Sequence, residues 1–339
     1  SIFIEKGLFD NLGEKIKELY SREKIAIITD KNVNEIYGDR LKRSLKGSGF
    51  EPYFIVVEPG EKSKSLNKLK YIYEELLKIN ISRWDLILTL GGGVVGDLGG
   101  FAAATYLRGV DYIQIPTSLL AQIDSSVGGK VAVDLDEGKN LIGNFYQPKA
   151  VFIDPLVLNT LKDRVFNDGM GELIKYALIK DKDMFEKLSS IDLENFKNSI
   201  DEYIYVCCSI KKNIVLIDEK DKGDRMLLNF GHTIGHALEK EMGFEKLTHG
   251  EGVAVGMYQI TKNSEKYLIT KNGVSKKIKD ILIKFGLPYQ VNEIRKSDII
   301  ADIEHDKKGQ GEFINLILLK DIGESFIYKA GKKELENLV

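Results

Sequence analysis

The 339-residue sequence has little cysteine: Cys207 and Cys208 are the only two, and they are adjacent. They fall in a run with a helical pattern, where neighbouring side chains point in different directions. We therefore interpret them as small buried apolar residues rather than as redox or metal-binding residues. So few cysteines give no indication of an oxidising compartment. No run of about 18 apolar residues occurs, so no membrane span is predicted.

The sequence also lacks a strong charge of either sign and an apolar leader. The formal net charge is −2, so no global basic field draws the chain to nucleic acid or to an anionic membrane. Any anion that it binds is expected to be held by a local cluster of Lys and Arg. Residues 1–10 include Glu5, Lys6 and Asp10 and have no signal-peptide core, which leads us to expect a cytoplasmic protein.

The length predicts about two domains, and proline usage suggests where they meet. Five of the six prolines lie at or before Pro155. Up to that point, short β-rich runs at 25–29, 53–57, 86–90, 112–115 and 151–153 alternate with helical patterns such as 66–78, which predicts a mostly parallel sheet covered by helices. Later segments, at 193–217, 230–241, 252–267 and 274–284, look helical, and the apolar run 313–319 fits either state. We predict an α/β Rossmann-like domain over 1–154 and a mainly α-helical domain over 155–339.

A glycine-rich segment follows the predicted strand 86–90 and precedes a helical pattern from residue 102. Gly91, Gly93 and Gly96 have the G-x-G-x-x-G spacing that lets a pyrophosphate approach a helix N-terminus. The acidic residue that usually ends the next strand is missing, because that strand runs into Pro116. The segment therefore indicates a dinucleotide site of an uncommon form, with Asp30 and Asn32 as candidates for the ribose, or a tight turn packed with small residues.

A second glycine cluster, at residues 125–130, has features of a phosphate-binding loop but fails the Walker pattern. The first glycine is absent, and Val131 occupies the position of the magnesium-binding Ser or Thr. We reject an ATPase on that basis.

Three of the four histidines lie within 18 residues: His232, His236 and His249. A single histidine is usually a core residue, but this grouping favours a metal or acid–base site. His232 and His236 are four residues apart and would share one helix face, which suggests a pair of ligands. Glu172, at the predicted start of an apolar helix, would be a natural third ligand, with Lys175 one turn later. Three N and O ligands are typical of a catalytic zinc site.

Several cations accompany short polar motifs rather than helical charge pairs. Any one of them, taken alone, is best interpreted as a solvated surface residue. Clustered around a metal ion, they would bind a phosphate and a carboxylate. The set is Arg108, Lys130, Lys139, Lys175, Lys211, Arg225 and Lys307-Lys308.

Together, six segments of the chain resemble the 3-dehydroquinate synthase family in the same order, from about residue 30 to residue 308. The segments are 91–101, 125–130, 139–140, 171–176, 228–236 and 249–251. The resemblance implies NAD on an N-terminal α/β domain, zinc or cobalt on a C-terminal helical domain, and usually a homodimer. It implies conversion of 3-deoxy-D-arabino-heptulosonate 7-phosphate to 3-dehydroquinate and phosphate, a lyase step of the shikimate pathway towards chorismate and the aromatic amino acids.

Site residues follow from the resemblance by motif. The implied metal ligands are Glu172, His232 and His249, which leaves His236 as an acid–base and hydrogen-bonding residue instead of a ligand. The implied NAD-binding residues are Asp30, Asn32, Glu61, Lys64, Gly92, Gly93, Asp97, Thr117, Ser118, Lys139 and Thr160. The implied substrate-binding residues are Arg108, Asp124, Lys130, Asn140, Lys175, Lys211, Arg225, Asn229, His236 and Lys308. Among these, the implied catalytic residues are Lys130, Asn140, Lys175, Arg225 and His236, and Arg108 would reach the substrate of a neighbouring subunit.

Four departures from the family pattern accompany this resemblance. Asp221 stands where a Glu is usual, Ser118 where a Thr is usual and Gly252 where an Ala is usual, and the carboxylate-binding residue is Lys308 or its neighbour Lys307. None of these removes a metal ligand.

Three other functions remain open from the sequence. A related sugar phosphate cyclase of the 2-deoxy-scyllo-inosose synthase type would share NAD, metal and ligands. Asp97 and the tail at Asp306-Lys307-Lys308 favour the dehydroquinate reaction over it. A metal-dependent alcohol or glycerol dehydrogenase would share the architecture, but Val94 and the context of His232 and His236 argue against one. The third alternative is a binding protein that has the same fold but no enzymatic activity.

Overall fold

The computed structural model of the chain describes residues 1–221, 223–243, 246–291, 294–306 and 313–339. They form two compact units, Ser1–Leu161 and Lys162–Val339. The sequence pattern places a boundary between residues 154 and 155, whereas the division lies after the short 3-10 helix Pro155–Thr160, because Val157 packs into the core of the first unit. Within the described ranges, no helix is both long enough and apolar enough to cross a bilayer.

The first unit is built on a six-stranded parallel sheet with the strand order β1-β8-β5-β4-β2-β3, beside an antiparallel hairpin of β6 and β7. Its strands are β1 (Ile2–Ile4), β2 (Lys24–Asp30), β3 (Glu51–Val57), β4 (Leu86–Gly91), β5 (Tyr112–Pro116), β6 (Lys130–Leu135), β7 (Gly138–Phe145) and β8 (Ala150–Ile153). Its helices are α1 (Leu12–Leu19), α2 (Lys31–Val33), α3 (Asp39–Gly47), α4 (Leu66–Lys78) and α5 (Gly93–Thr105).

The sheet is covered on both faces, which explains its continuous apolar strands. Every residue of β4 and β5 is buried, as expected for central parallel strands. Because side chains alternate along a strand, Ile87 packs with helices α4 and α5, while Leu86 and Leu88 pack with α1 and α3 on the other face. The hydrophobic effect on both faces therefore fixes the register of the sheet.

The second unit is mainly helical and ends in an antiparallel hairpin with a short final helix. Its helices are α6 (Asp163–Lys180), α7 (Lys182–Ser190), α8 (Leu193–Asn198), α9 (Ile200–Ile217), α10 (His232–Glu241), α11 (His249–Lys266), α12 (Val274–Lys284), α13 (Lys296–Asp306) and α14 (Lys332–Leu338). The hairpin strands are β9 (Ile314–Asp321) and β10 (Glu324–Ala330). Cys207 and Cys208 are buried on α9, as expected.

The parallel sheet and four of the predicted helices are confirmed: α4 and α12 have the predicted bounds, and α10 and α11 match theirs to within three residues. The prediction of one helix over 193–217 is wrong. Ser199 leaves the helical conformation, with φ −109° and ψ 18°, and separates α8 from α9. The ambiguous run 313–319 contributes to strand β9. The β6–β7 hairpin, β1 and β10 have no counterpart in the sequence prediction.

Two helix starts also differ from the predicted ones. Helix α5 begins at Gly93 rather than at residue 102, whereas α11 begins at His249, the residue expected to open its glycine-rich start. Helix α6 begins at Asp163, so Glu172 lies in its middle rather than at its start. An apolar pattern locates the buried face of a helix, but polar or glycine-rich first turns hide its beginning.

Candidate functional site

A fully buried carboxylate, Glu172 of α6, is the centre of the strongest candidate site. Its Oε1 atom lies 3.2 Å from His232 Nε2 and 3.4 Å from His249 Nε2. Its Oε2 atom is paired with the ammonium of Lys175, one turn along the same helix. Three helices, α6, α10 and α11, thus bring one carboxylate and two imidazoles to a single point.

The spacing of these ligand atoms fits a bound metal ion. Around a tetrahedral ion with bonds of about 2.0–2.1 Å, neighbouring ligand atoms lie roughly 3.3–3.4 Å apart. The distances from both histidines to Glu172 Oε1, 3.2 and 3.4 Å, are within about 0.1 Å of this spacing. Within the described part of the chain, neither Glu172 oxygen has a well-directed hydrogen-bond donor, and Lys175 is paired only with Oε2, so a cation beside Oε1 would stabilise this buried carboxylate. The residues present therefore fit a divalent cation.

His236 lies beside the other two histidines. Its ring centroid is 5.3 Å from that of His232 and 5.7 Å from that of His249, and the ligand atoms of all three lie within 4.8 Å of one another. The helical pairing of His232 with His236 expected from their spacing is therefore present. Geometry alone allows all three to serve as metal ligands.

The electrostatics of the cluster keep its members in different protonation states. Burial raises the pKa of Glu172, but the charges of Lys175 and His232 outweigh it and hold that pKa well below its usual range. His236 has an exposed edge, yet desolvation by the surrounding protein and the charges of His232 and His249 lower its pKa to about 3. Burial lowers the pKa of His249, but its contacts with Glu172 and Glu239 raise it to about 10. Glu172 is thus a carboxylate, ready to pair with a cation.

Glycines let the three helices approach closely enough to form this cluster. A Cβ atom at Gly171 of α6 would lie 2.4 Å from the carbonyl oxygen of Gly250 in α11, and one at Gly256 of α11 would lie 2.1 Å from that of Gly231, before α10. A Cβ at Gly235 would lie 2.9 Å from the carbonyl carbon of Gly252. Gly171, Gly231, Gly235 and Gly250 are each next in sequence to a member of the cluster. Backbone contact between the helices therefore sets where the three side chains meet.

The start of α11 is also fixed by polar contacts to α6. Asp168 Oδ1 accepts a hydrogen bond of 2.6 Å from the Gly250 amide. Thr248 and Glu251 form a capping box, and Arg164 binds both carboxylate oxygens of Glu251, at 3.0 and 2.8 Å. The bonds from the Gly250 and Glu251 amides satisfy free N–H groups of the first turn, and Arg164 holds the Glu251 carboxylate in place. They hold His249, which lies in the same turn.

The first unit carries the glycine turn. Gly91 ends β4, Gly92 is the N-cap of α5, and the helix N-terminus has no side-chain cap. A Cβ at Gly92 would lie 3.3 Å from Ser118 Oγ, and one at Gly93 would lie 3.2 Å from Ser125 Oγ. The absence of side chains leaves room for an anion at the N-terminus of α5. The uncapped N–H groups there, at the positive end of the helix dipole, can bind it.

Most of the implied NAD-binding residues follow the carboxyl ends of parallel strands. Asp30 ends β2 and caps α2, burial raising the pKa of its carboxyl group. Thr117 and Ser118 follow β5, and the Thr117 amide donates to the Gly91 carbonyl at 2.9 Å. Thr160 bonds through its hydroxyl to Tyr37, 2.8 Å away. Ligands of open α/β sheets bind at this edge. Asn32 lies in α2 at the same edge.

A buried lysine organises a second group in this unit. Lys64 Nζ lies 2.8 Å from Asp97 Oδ2, 3.7 Å from Glu61 and 4.0 Å from Asp134, and it also donates to Asn140 Oδ1. Burial lowers the pKa of Lys64, but Asp97 and Glu61 outweigh it and raise that pKa above its usual value. Asn140 has a left-handed φ of +58°, and its amide donates to Asp134 at 2.7 Å. Four sequence segments thus meet around one ammonium.

The remaining implied residues are placed as follows. In the first unit, Asp124 lies in the π-helical turn Ala121–Ser125, Lys130 begins β6 and Lys139 lies in β7. Arg108 has a φ of +66°, next to Leu107 at +49°, an uncommon conformation for two successive non-glycine residues. In the second unit, Lys211 of α9 and Arg225 are buried, and Asn229 ends the 3-10 helix Asp224–Asn229. Lys307 and Lys308 lie outside the described residues.

Arg225 is held by the loop that precedes it. Its guanidinium donates to the Glu219 carbonyl at 2.6 Å, and its amide donates to Asp218 Oδ2 at 3.1 Å. Asp221 in that loop has a φ of +58°, a conformation that Asp tolerates better than Glu. The local backbone therefore suits the shorter carboxylate at this position.

Two family models cover most of the chain: the one described as 3-dehydroquinate synthase N-terminal matches residues 54–168, and the one described as 3-dehydroquinate synthase C-terminal matches residues 169–309. The chain belongs to the 3-dehydroquinate synthase family. The boundary between the two matches falls inside α6, seven residues after the division between the compact units (168 against 161). Glu172, His232 and His249 all lie in the C-terminal match.

Relatives and solved structures resemble the chain over nearly its whole length. The 3-dehydroquinate synthase of Clostridium acetobutylicum is 58% identical, over 98% of this chain and 94% of that protein. The 3-dehydroquinate synthase of Clostridium botulinum is 54% identical, over 96% and 94%. A crystal structure of 2-deoxy-scyllo-inosose synthase complexed with carbaglucose-6-phosphate, NAD⁺ and Co²⁺ is 25% identical with a TM-score of 0.88, over 99% of this chain and 95% of that one.

The structure adds residues around the histidines that the sequence analysis missed. Glu239 contacts His249, and Asp168 and Arg164 hold the start of α11. A carboxylate three residues after His236, on the same helix, was the available signal for Glu239. No sequence pattern points to Asp168 or Arg164, because each acts on a backbone segment that is distant in sequence.

Proposed function

We propose that this chain is a 3-dehydroquinate synthase that converts 3-deoxy-D-arabino-heptulosonate 7-phosphate to 3-dehydroquinate and phosphate. The observation that carries the proposal is the meeting of the Glu172 carboxylate with Nε2 of His232 and of His249. This arrangement is found in a chain that belongs to the family and is 58% identical to a 3-dehydroquinate synthase over almost its whole length. The same three residues are those that the motif resemblance implies as ligands.

The proposed metal ligands are Glu172, His232 and His249, and the proposed ion is zinc or cobalt. Two nitrogens and one carboxylate oxygen are a donor set typical of catalytic zinc sites, which keep a position open for substrate. When bound, the ion supplies Lewis-acid polarisation of the substrate hydroxyl to be oxidised. The Nδ1 atoms of both ligands face oxygen atoms, which leaves each Nε2 for the ion: Phe230 O for His232 and Glu239 Oε1 for His249.

Side chains of the second unit complete the chemistry by holding charge and protons. Lys175 is 1% exposed and already pairs with Glu172, so its ammonium can donate to a substrate oxygen bound beside that carboxylate. His236 adjoins both ligand histidines and is assigned to hydrogen bonding and proton transfer at its ring nitrogens. Lys211, Arg225 and Asn229 are assigned to the anionic groups of the substrate, as is Lys308.

The glycine turn of the first unit is the proposed NAD site. The N–H groups at the uncapped start of α5 would bind the pyrophosphate, and Asp30 at the end of β2 would accept from a ribose hydroxyl. When bound, NAD supplies reversible hydride acceptance. Further contacts are assigned to Asn32, Glu61, Lys64, Gly92, Gly93, Asp97, Thr117, Ser118, Lys139 and Thr160.

In the proposed reaction the substrate is oxidised, loses phosphate, is reduced again and closes its ring by an aldol step, with no net consumption of NAD. Lys130, Asn140 and Asp124 are assigned to the substrate, and cationic side chains offset the negative charge that develops during elimination. The substrate's own phosphate is a base within reach of the C–H to be removed. We further propose a cytoplasmic homodimer in which Arg108 reaches the substrate of the partner subunit.

Phosphate release tests this proposal directly. The protein is incubated with 3-deoxy-D-arabino-heptulosonate 7-phosphate, NAD and zinc or cobalt, while phosphate, dehydroquinate and NADH are followed together. Stoichiometric phosphate and dehydroquinate without net NADH is the expected result. Turnover of glucose 6-phosphate alone would move the chain to the sister cyclases, and net NADH from a simple polyol would make it a dehydrogenase.

A further inference from the structure

His249 has a carboxylate at each of its two ring nitrogens. Its Nε2 lies 3.4 Å from Glu172 Oε1, and its Nδ1 lies 3.1 Å from Glu239 Oε1. His232 differs, because its Nδ1 lies 3.1 Å from the backbone carbonyl of Phe230. The two imidazoles of the metal centre are therefore oriented by acceptors of different charge.

We propose that Glu239 is a positioning residue of the metal centre, which accepts a hydrogen bond from Nδ1–H of His249. This bond fixes the tautomer in which the Nε2 lone pair of His249 points at the ion, and it makes the imidazole a stronger donor to the metal. The inference rests on the proposed function only in taking Glu172, His232 and His249 as ligands.

The placement of Glu239 supports this role. It lies on α10 with His232, so one short helix carries both a ligand and the carboxylate that orients another ligand. It is only 4% exposed, although a surface helix would normally turn a glutamate towards water. Burial of a carboxylate is unfavourable without hydrogen bonds or a compensating charge, and the His249 ring supplies a donor.

Close packing holds the Glu239 side chain in position. A Cβ atom at Gly252 of α11 would lie 3.3 Å from Glu239 Cγ and 3.4 Å from its Oε1. Glycine at this position, one of the departures from the family pattern, thus leaves space for the carboxylate between α10 and α11. The space lies three residues along the chain from His249, the residue that Glu239 contacts.

The negative charge of Glu239 also favours a cation at the proposed site. Glu172 and Glu239 carry two negative charges near a divalent cation, and the imidazoles are neutral when they act as ligands. Without Glu239, the acceptor for Nδ1–H of His249 is lost and the ring can rotate or change tautomer. Metal affinity is therefore the property expected to depend most on Glu239.

The experiment measures the Kd of metal-stripped protein for Co²⁺ by competition with a chromophoric chelator. Glu239→Ala is expected to weaken binding roughly 10–100-fold, and Glu239→Gln by less, because its amide oxygen can still accept from Nδ1–H. The matched control is Glu241→Gln, the same change two residues later on an exposed position of the same helix, and it is expected to leave Kd unchanged. Far-ultraviolet circular dichroism of each stripped variant checks that it is folded.

A second readout separates orientation from general damage. In Co²⁺-loaded protein, the exchangeable ring N–H protons of His232 and His249 give hyperfine-shifted proton signals. In Glu239→Gln, the N–H signal of His249 is expected to shift and to exchange faster with solvent. The N–H signal of His232 is expected to stay unchanged, so one of the two signals moves and the other does not. A Glu239→Gln protein with both signals unchanged, or a Glu239→Ala protein with a Kd within twofold of wild type, would overturn the proposal.

The outcome is distinguishable from failure of the proposed function. Weaker metal binding in the Glu239 variants, in a protein that releases no phosphate, supports Glu239 and overturns the synthase assignment. Normal phosphate release with unchanged metal affinity in those variants supports the synthase assignment and overturns the role of Glu239. Co²⁺ binding that is insensitive to Glu172→Gln would overturn the proposed ligand set and with it the role of Glu239, while phosphate release would still decide the synthase assignment.

Discussion

Gly171 of α6 and Gly250 of α11 lie back to back, so close that a Cβ atom on Gly171 would be 2.4 Å from the Gly250 carbonyl oxygen. Each is next in sequence to a proposed metal ligand, Glu172 and His249. No side chain fits between these two helices without moving one of them. The separation of the two ligands is therefore set by backbone contact.

Gly171→Ala is expected to lower stability by about 1–3 kcal/mol and to weaken metal binding, because the new methyl group pushes α11 away from α6. Chemical denaturation and Co²⁺ titration measure the two effects. The matched control is Gly47→Ala in α3, where a Cβ meets open space; it is expected to be neutral or to stabilise by up to about 1 kcal/mol. Equal behaviour of the two variants would argue against the close approach.

Lys175→Ala is expected to retain NAD and metal yet to lose turnover by roughly 10²-fold or more, since its ammonium lies against Glu172 at the proposed reaction centre. Binding titrations and phosphate release measure the two properties separately. Lys180→Ala, on the exposed end of the same helix, is the control and should keep full activity. Near-normal turnover of Lys175→Ala would remove its assigned role.

Lys64→Met is expected to weaken NAD binding by at least about tenfold, because it leaves Asp97 and Asn140 without their shared donor. Metal affinity should be unaffected, since the proposed ligands belong to the other unit. Fluorescence or calorimetric titration of NAD makes the measurement, with the exposed Lys62→Met as control. A parallel loss of NAD and metal binding would instead indicate global unfolding.

Asp154→Ala is expected to cost roughly 3–5 kcal/mol of stability without touching any assigned ligand. The buried Asp154 carboxylate accepts from the amides of Gly7, Phe9 and Leu156, at 3.0, 3.0 and 2.9 Å. Urea denaturation measures the loss. Asp192→Ala, which removes an exposed helix cap, should cost only about 1 kcal/mol, and a similar loss in both variants would show that Asp154 contributes no more than a cap.

The elements that the sequence predicted best have strong local signals. Helix α4 follows Ser65, whose hydroxyl caps it, and α12 follows Gly273 in a left-handed conformation. The break at Ser199 could not be predicted, because the apolar pattern of α8 continues into α9 without a proline or glycine. Strand β1 owes its state to pairing with β8, which is far along the chain. Such long-range pairing leaves no local pattern.

The proposed metal centre also depends on contacts between distant segments, which local sequence patterns do not predict. Residue spacing alone selected His232 and His236, which do adjoin each other, and it could not choose between them and His249 as ligands. Motif resemblance singled out Glu172, His232 and His249, and the structure brings them together. Glu239 was missed because a lone glutamate on a helix with other charged residues reads as a solvated side chain.

The proposed ligands Glu172, His232 and His249 all belong to one compact unit, and the glycine turn belongs to the other. Occupancy by metal and occupancy by dinucleotide are then two separate properties of any purified sample. A preparation can be fully loaded with one and short of the other, and a single specific activity cannot tell which is lacking. Metal content and bound NAD are best quantified side by side before rates of different variants are compared.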